Sequence, residues 1–309
     1  MTTLPSPEEI GAKMHALKLW GRIAPFNWVI KPTGTVFPYF CTLIEVPQPN
    51  PVLCRFLMIE GWQTFHDYVF TRADRNYGVY STPMELPHFE LVVLANGEVK
   101  VFRHDAGYVP HELSEAERSL VSRIMWEAYG VMMRIETDER LPLRYSSEKA
   151  MFARIESAKG VWEDAPMPIL QPNPFVEKVS FPKADIEKAK DIPFATEETL
   201  EVDFRIFPNL VTQEARPRYA YVLVAVDAET GEKVVFDKTS VSRDGGLKAL
   251  WEAMPPRLLK NLIARGRIPG NIRLVSGRVF RMLRPLCVEL PFKLSLHDAL
   301  PRLEQALKV

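Results

Sequence analysis

Apolar residues recur at Ile10, Met14 and Leu17, behind the start Ser6-Pro7-Glu8-Glu9. Spacings of three and four place them on one helical face. The start supplies an N-cap serine, a proline at the first helical position and a capping-box glutamate. From about residue 28 to 103 the texture becomes that of strands, predicted at Thr42–Val46, Leu53–Ile59 and Asp67–Thr71. Phe89 to Phe102 alternates on both sides of Asn96-Gly97, the pair that a type I′ hairpin turn requires. Ser114-Glu115-Ala116-Glu117 is a second capping box. It heads a helix over 114–137 with the stripe Leu120, Ile124, Ala128, Val131 and Ile135. Residues 150–165 alternate through Lys159-Gly160 and read as a hairpin, with a short helix as the alternative.

The pattern breaks over 166–198, where Pro166, Pro168, Pro172, Pro174, Pro182 and Pro193 suit neither a central strand nor a helix interior. An acidic, Pro-rich connector is expected there. Beyond it come a strand at 200–207 and a hairpin from Tyr219 to Phe236, turning at Asp227-Ala228-Glu229-Thr230-Gly231. A helix over 245–265, a strand Asn271–Val275, a helix over 278–286 and a strand Phe292–Leu294 follow. A last helix is expected to be capped by Ser295, with Asp298 three residues on. The expected fold class is α+β in two domains. Residues 1–165 form an aromatic-rich antiparallel-sheet domain with a long helix, and 199–309 a ribonuclease-H-like βββαβαβα domain.

Composition agrees with a globular chain. Of 309 residues, 47% are apolar and 25% charged, enough for two cores without disulfides. Cys41, Cys54 and Cys287 are odd in number and lack C-x-x-C spacing, which predicts a reducing, cytoplasmic setting and no thiolate metal cage. The start has no basic and apolar signal-peptide pattern, and no run approaches the ~18 apolar residues of a membrane span. No membrane association is expected. Formal charge is zero, so the molecule as a whole does not steer toward nucleic acid.

Gly107-Tyr108-Val109-Pro110 running into Leu113-Ser114-Glu115-Ala116-Glu117 resembles bacterial proteins of unknown function in which two uncharacterised domains occur in tandem. In the second half the resemblance rests on Val224 to Gly231, on Ile268-Pro269-x-x-Ile272 and on Leu300-Pro301-x-Leu303-Glu304. It implies the two-domain division and carries no activity and no functional residue.

Catalytic signatures are missing: no G-x-G-x-x-G after a strand, no G-x-x-x-x-G-K-[ST] and no G-x-S-x-G. His111-Glu112 echoes a zinc-protease motif, but its fifth residue is Glu115 and no second histidine follows at helical spacing. In His66-Asp67 and His104-Asp105, in or beside predicted strands, neighbours point to opposite faces. Ribonuclease-H-like nucleases hold two metal ions on carboxylates of the first strand, the first helix, a later strand and the last helix. Asp227, Glu252 and Asp298 fall near three of these places, but the later strand ends in Ser276-Gly277. No catalytic residue, cofactor or metal is therefore expected; a bound zinc would direct attention to His88, His104 and His111.

One charge feature stands out. Between Ala253 and Val288 lie Arg257, Lys260, Arg265, Arg267, Arg273, Arg278, Arg281 and Arg284 with no acidic residue. Arg278, Arg281 and Arg284, three apart, share one side of a short helix. Arg257, Lys260, Arg273, Arg278, Arg281 and Arg284 are thus candidate anion- or nucleic-acid-binding residues. The competing reading is that acids before Arg205, among them Glu197, Glu198, Glu201 and Asp203, fold back and neutralise the segment. Balanced total charge favours neutralisation. The expected function is a non-catalytic binding or interaction protein with an unidentified protein partner. The alternative is a nucleic-acid-associated protein, including a degenerate nuclease.

Overall fold

The structure, a computed structural model, describes residues 4–20, 27–73, 85–171, 178–241 and 245–308. It is mixed α and β and divides into two compact units.

The first unit comprises Met1–His66, Leu86–Asp105 and Pro110–Asn173. Its elements begin with α1 (Pro7–Ala16), β1 (Trp28–Lys31), β2 (Tyr39–Glu45) and β3 (Val52–Glu60). Helix α2 (Trp62–Ala73) starts within this unit, and β4 (His88–Leu94), β5 (Val99–His104) and β6 (His111–Glu112) follow. Then come α3 (Glu115–Thr137), α4 (Leu141–Tyr145), β7 (Ala150–Glu156) and β8 (Trp162–Pro168). The eight strands form one sheet in the order β6-β5-β4-β3-β2-β1-β7-β8, antiparallel except where β1 meets β7. Both capping boxes form: Ser6 with Glu9 and Ser114 with Glu117 each exchange two bonds at the helix start. Alternation in β3 and β4 sends Phe56, Phe89 and Leu91 into a core with Met14, Ile124 and Val131 of α1 and α3.

Two expectations are corrected here. Residues 67–71 belong to α2, not to a strand. Their β-branched and aromatic content favours a strand in isolation, but Phe65 and Tyr68, three apart, are both buried, and Phe65 stacks on Phe40 at 4.4 Å. In the turn at Asn96-Gly97 only Gly97 has a positive φ, 84°. Leu94 pairs with Glu98 across Ala95, Asn96 and Gly97, the three-residue hairpin loop in which glycine takes the left-handed position.

The second unit comprises Asp67–Glu85, Ala106–Val109 and Pro174–Val309. Its elements are α5 (Lys183–Lys190), β9 (Phe194–Val211), β10 (Tyr219–Asp227), β11 (Lys233–Thr239), α6 (Gly246–Arg265), β12 (Ile268–Leu274), α7 (Gly277–Leu283), α8 (Leu286–Glu289), β13 (Lys293–Leu296) and α9 (Pro301–Leu307). The sheet order is β11-β10-β9-β12-β13. β9, β10 and β11 are an antiparallel meander, while β12 runs parallel to β9 and β13 parallel to β12. On one face Leu200, Val202, Phe204 and Leu223 pack with Trp251 and Leu258 of α6 and Val279 of α7. On the other, Val222, Val224 and Val226 pack beneath Leu300 and the α9 residues Leu303 and Ala306.

Residues 166–198 are not free of regular structure. They contain the end of β8, all of α5 and the first residues of β9, and Ile186 and Ala189 of α5 are buried in the second core. A short apolar contact on an otherwise charged helix is too weak a pattern to read from the chain. The last helix begins later than expected. Ser295 lies in β13 with its Oγ 2.9 Å from His297 Nε2, and Leu300, not Ser295, stands at the helix start.

The Gly107 motif packs with the second unit. The Tyr219 N–H donates to Gly107 O and the Val109 N–H to Pro217 O, both at 3.0 Å, and the Arg216 guanidinium covers the Tyr108 ring at 4.2 Å. Gly107 has φ +82°, and a Cβ there would lie 2.4 Å from Val241 Cγ1. Gly231, also left-handed at +79°, would meet nothing closer than 3.9 Å. Gly231→Ala should cost about 1–2 kcal/mol for the backbone alone. Gly107→Ala adds the collision and should cost more, in total about 2–4 kcal/mol. Chemical denaturation of both variants measures this; equal losses would show that the contact with Val241 imposes nothing.

Candidate functional site

The structure scatters the predicted anion-binding residues. Arg257 on α6 grips Asp237 of β11 through Nε–Oδ2 at 2.9 Å and Nη2–Oδ1 at 2.5 Å. The fork-on-carboxylate geometry lowers the Asp237 pKa, chiefly through the Arg257 hydrogen bond against opposing desolvation. Arg265 makes a forked contact with Glu198 of β9, one arm at 2.9 Å, and Arg267 lies 3.8 Å from the same carboxylate. Lys260, Arg281 and Arg284 are exposed. Arg278 is corrected: it is 3% exposed, with its guanidinium over the Trp251 ring at 3.7 Å. The three arginines at spacing three therefore do not share a solvent face. Glu85, fully buried, stands in the same pocket of charge. With burial as the larger cause, its carboxylate pushes the Tyr221 phenol far above its ordinary range, against the pull of Arg278.

Arg273 lines a surface cleft of about 370 Å³ with Arg267 and the carboxylates of Glu197, Glu198, Asp227 and Glu229. Four acids outnumber two guanidinium groups, which disfavours an anion. Asp227 is occupied locally, its Oδ1 accepting from Thr230 N, Thr230 Oγ1 and Glu229 N at 2.7–3.0 Å. Those bonds, led by the Thr230 N–H, hold its pKa low. Glu252 accepts from Lys178 N at 3.1 Å, and Asp298 lies on an exposed bend. Asp227, Glu252 and Asp298 thus each have separate surroundings.

The acids that the fold does gather are on β9. Register places Glu201, Asp203 and Arg205 on the face beneath α9. Glu201, 1% exposed, accepts the Leu303 N–H at 2.8 Å, so a carboxylate from the sheet caps the helix that lacks a cap of its own. Asp203, 6% exposed, accepts from Arg205 Nε at 2.5 Å, and Arg205 Nη2 reaches Glu304 of α9 at 2.7 Å. Burial raises the Asp203 pKa and Arg205 only partly offsets it. Alternation puts the three on one face of β9, and the tertiary fold decides that α9 covers it.

In the first unit, spacing along the chain was a poor guide. Strand pairing brings together histidines that are 16 residues apart in the chain. His88 stands directly across from His104, and Glu90 is two residues along the same face of β4. All three are buried, with one donor atom each inside a mutual distance of 4.8 Å. His104 Nε2 lies 2.7 Å from Glu90 Oε2, and Arg55 Nη1 3.3 Å from Glu90 Oε1. Burial first, then His104, lowers the His88 pKa to about 4. Desolvation of Glu90 is outweighed by His104 and Arg55, so its carboxyl stays below the ordinary range. His111, the third histidine expected near a zinc, pairs instead with Asp105 at 3.1 Å.

Residues 185–308 match a family described as a domain of unknown function, DUF6930. The DUF6930 match runs from within α5 past α9, inside the second unit. It includes the β9 acids and Arg278 but neither Glu85 nor Gly107. No curated protein matches the chain.

Removing the sheet-borne cap should be costly. Glu201→Ala leaves the buried Leu303 N–H unanswered and should destabilise by about 1.5–3 kcal/mol, with hydrogen exchange rising first in α9. Unchanged exchange in α9 would contradict a capping role. For Asp237, a folded pKa below the unfolded one means a contribution present above about pH 4 and lost as pH falls through the folded value. The stability advantage of wild type over Arg257→Ala should therefore narrow on acidification. Denaturant titrations between pH 7 and about pH 2.5 test this; a constant difference would place the effect in packing.

Proposed function

We propose that this chain is a cytoplasmic, non-catalytic binding protein whose second unit is a ribonuclease-H-like interaction module for a protein partner. The ribonuclease-H-like reading is supported by a three-strand meander whose first strand also pairs in parallel with the fourth, and that with the fifth. The cytoplasmic reading draws on Cys41, Cys54 and Cys287, all free thiols. No helix among the described residues is long and apolar enough to cross a membrane.

One observation carries the non-catalytic reading: the buried carboxylates of β9 already have partners. Two-metal nucleases need carboxylates on the first strand that face an ion. Here Glu201 holds the Leu303 N–H and Asp203 holds Arg205. The later strand, β12, runs out into Ser276, which caps α7 through its Oγ to the Val279 N–H at 3.3 Å. On the basic segment, Asp237 engages Arg257, Glu198 engages Arg265 and Arg267, and Trp251 covers Arg278. Arg273 faces the four acids of the cleft, so Lys260, Arg281 and Arg284 are, besides Arg267, the exposed cations of the segment, few for phosphate contacts to dominate binding.

The full chain should bind neither DNA nor RNA at about 50 mM salt, where phosphate contacts are strongest. It should cleave neither with magnesium or manganese. Arg281→Glu with Arg284→Glu, both exposed, should behave as wild type; Arg278 is left intact because its replacement would disturb the core. Binding that weakens steeply with salt and is lost in the double variant would overturn the proposal in favour of nucleic acid.

A further inference from the structure

We propose that His88, Glu90 and His104 form a binding site for a divalent transition-metal ion, with zinc(II) the best fit. The inference concerns the first unit and stands apart from the function proposed for the second.

The donors come from rigid elements. His88 and Glu90 sit at alternate positions of β4, and His104 faces His88 from β5, so three side chains converge without any loop. Their relative exposures are 4%, 4% and 8%, in a sheet whose neighbouring positions Leu57 and Ile59, opposite Glu90 and His88 on β3, are buried and apolar. Burying three polar side chains among aliphatic ones costs free energy unless they find strong partners. Two imidazoles and one carboxylate are the donor set of many zinc and iron(II) sites; calcium and magnesium prefer oxygen alone.

Orientation supports the same conclusion. His88 Nδ1 lies 2.8 Å from Leu86 O. A carbonyl only accepts, so Nδ1 carries the proton and Nε2 keeps its lone pair for an ion. A ligating histidine is usually held this way, by a backbone carbonyl on its other nitrogen. Arg55 engages Glu90 Oε1, leaving Oε2, the oxygen nearest His104 Nε2, as a single-oxygen ligand. His104 Nε2 and Glu90 Oε2, 2.7 Å apart, would both have to be unprotonated to hold the ion. The imidazoles stack at 4.3 Å and 13°. Two parallel rings cannot both aim in-plane lone pairs at one ion, so binding turns at least one ring about its Cβ–Cγ bond. Three protein donors leave a further position for water or a small ligand.

The test uses untagged full-length protein, stripped with chelator and titrated with zinc(II) and, as a visible probe, cobalt(II). One equivalent should bind, with cobalt ligand-field bands of a nitrogen–oxygen site and no thiolate charge transfer. Glu90→Gln, close in shape, should keep the circular dichroism spectrum and lose affinity at least about 10-fold. Zinc should raise the wild-type Tm but not that of Glu90→Gln. His111→Ala should bind as wild type, because His111 is outside the donor set. The proposal fails if wild type takes up no stoichiometric metal. It also fails if thiolate charge transfer appears, if folded Glu90→Gln binds as tightly as wild type, or if His111→Ala loses the metal.

Discussion

A charge removed from water must be answered by another group, and the second unit is organised around that requirement. β9 carries Glu201, Asp203 and Arg205 into a face that α9 covers. None of the three could stay there unanswered, since an isolated buried charge costs several kcal/mol. α9 answers twice, through the Leu303 N–H and the Glu304 carboxylate. The seven-residue helix is too short to be stable alone; the strand's acid supplies its cap and the valines of β10 its apolar floor.

The same requirement limits what the unit can do. A carboxylate that caps a helix or holds an arginine is not free for a catalytic ion, and an arginine under tryptophan is not free for phosphate. Arg278 illustrates the trade: stacking on Trp251 near Glu85 and Tyr221 stabilises the core and removes the guanidinium from the surface. In the first unit the balance differs. There the buried Glu90 has a half-exposed arginine and two imidazoles for company, an arrangement that a divalent ion would complete.

The unit of packing is also larger than the stretch that matches a family. DUF6930 covers 185–308, whereas the compact second unit takes in Asp67–Glu85 and Ala106–Val109. Tyr219 pairs with Gly107, and Glu85 stands beside Tyr221. Gly107 tolerates this only because it lacks a Cβ that would collide with Val241.

Much of the architecture was legible in the residues. The capping boxes at Ser6 and Ser114, the hairpins at Gly97, Gly160 and Gly231, and the α+β character each follow from signals within a few residues of one another. Short-range stereochemistry decides such features wherever the segment lies. Other features needed the tertiary fold. Trp62–Ala73 became helix because Phe65 meets Phe40, not because its propensity asked for it. Glu201 and Asp203 were expected to neutralise the basic segment, but the Leu303 N–H and Arg205 take them instead. Arg278 looked like its exposed neighbours Arg281 and Arg284, and which of the three turns inward depends on where Trp251 lies. His88, Glu90 and His104 could not be grouped by counting along the chain, because their meeting depends on the register of β4 against β5. Alternation along a strand says which residues share a face; only the packing of distant segments decides whether that face meets water, a helix or an ion.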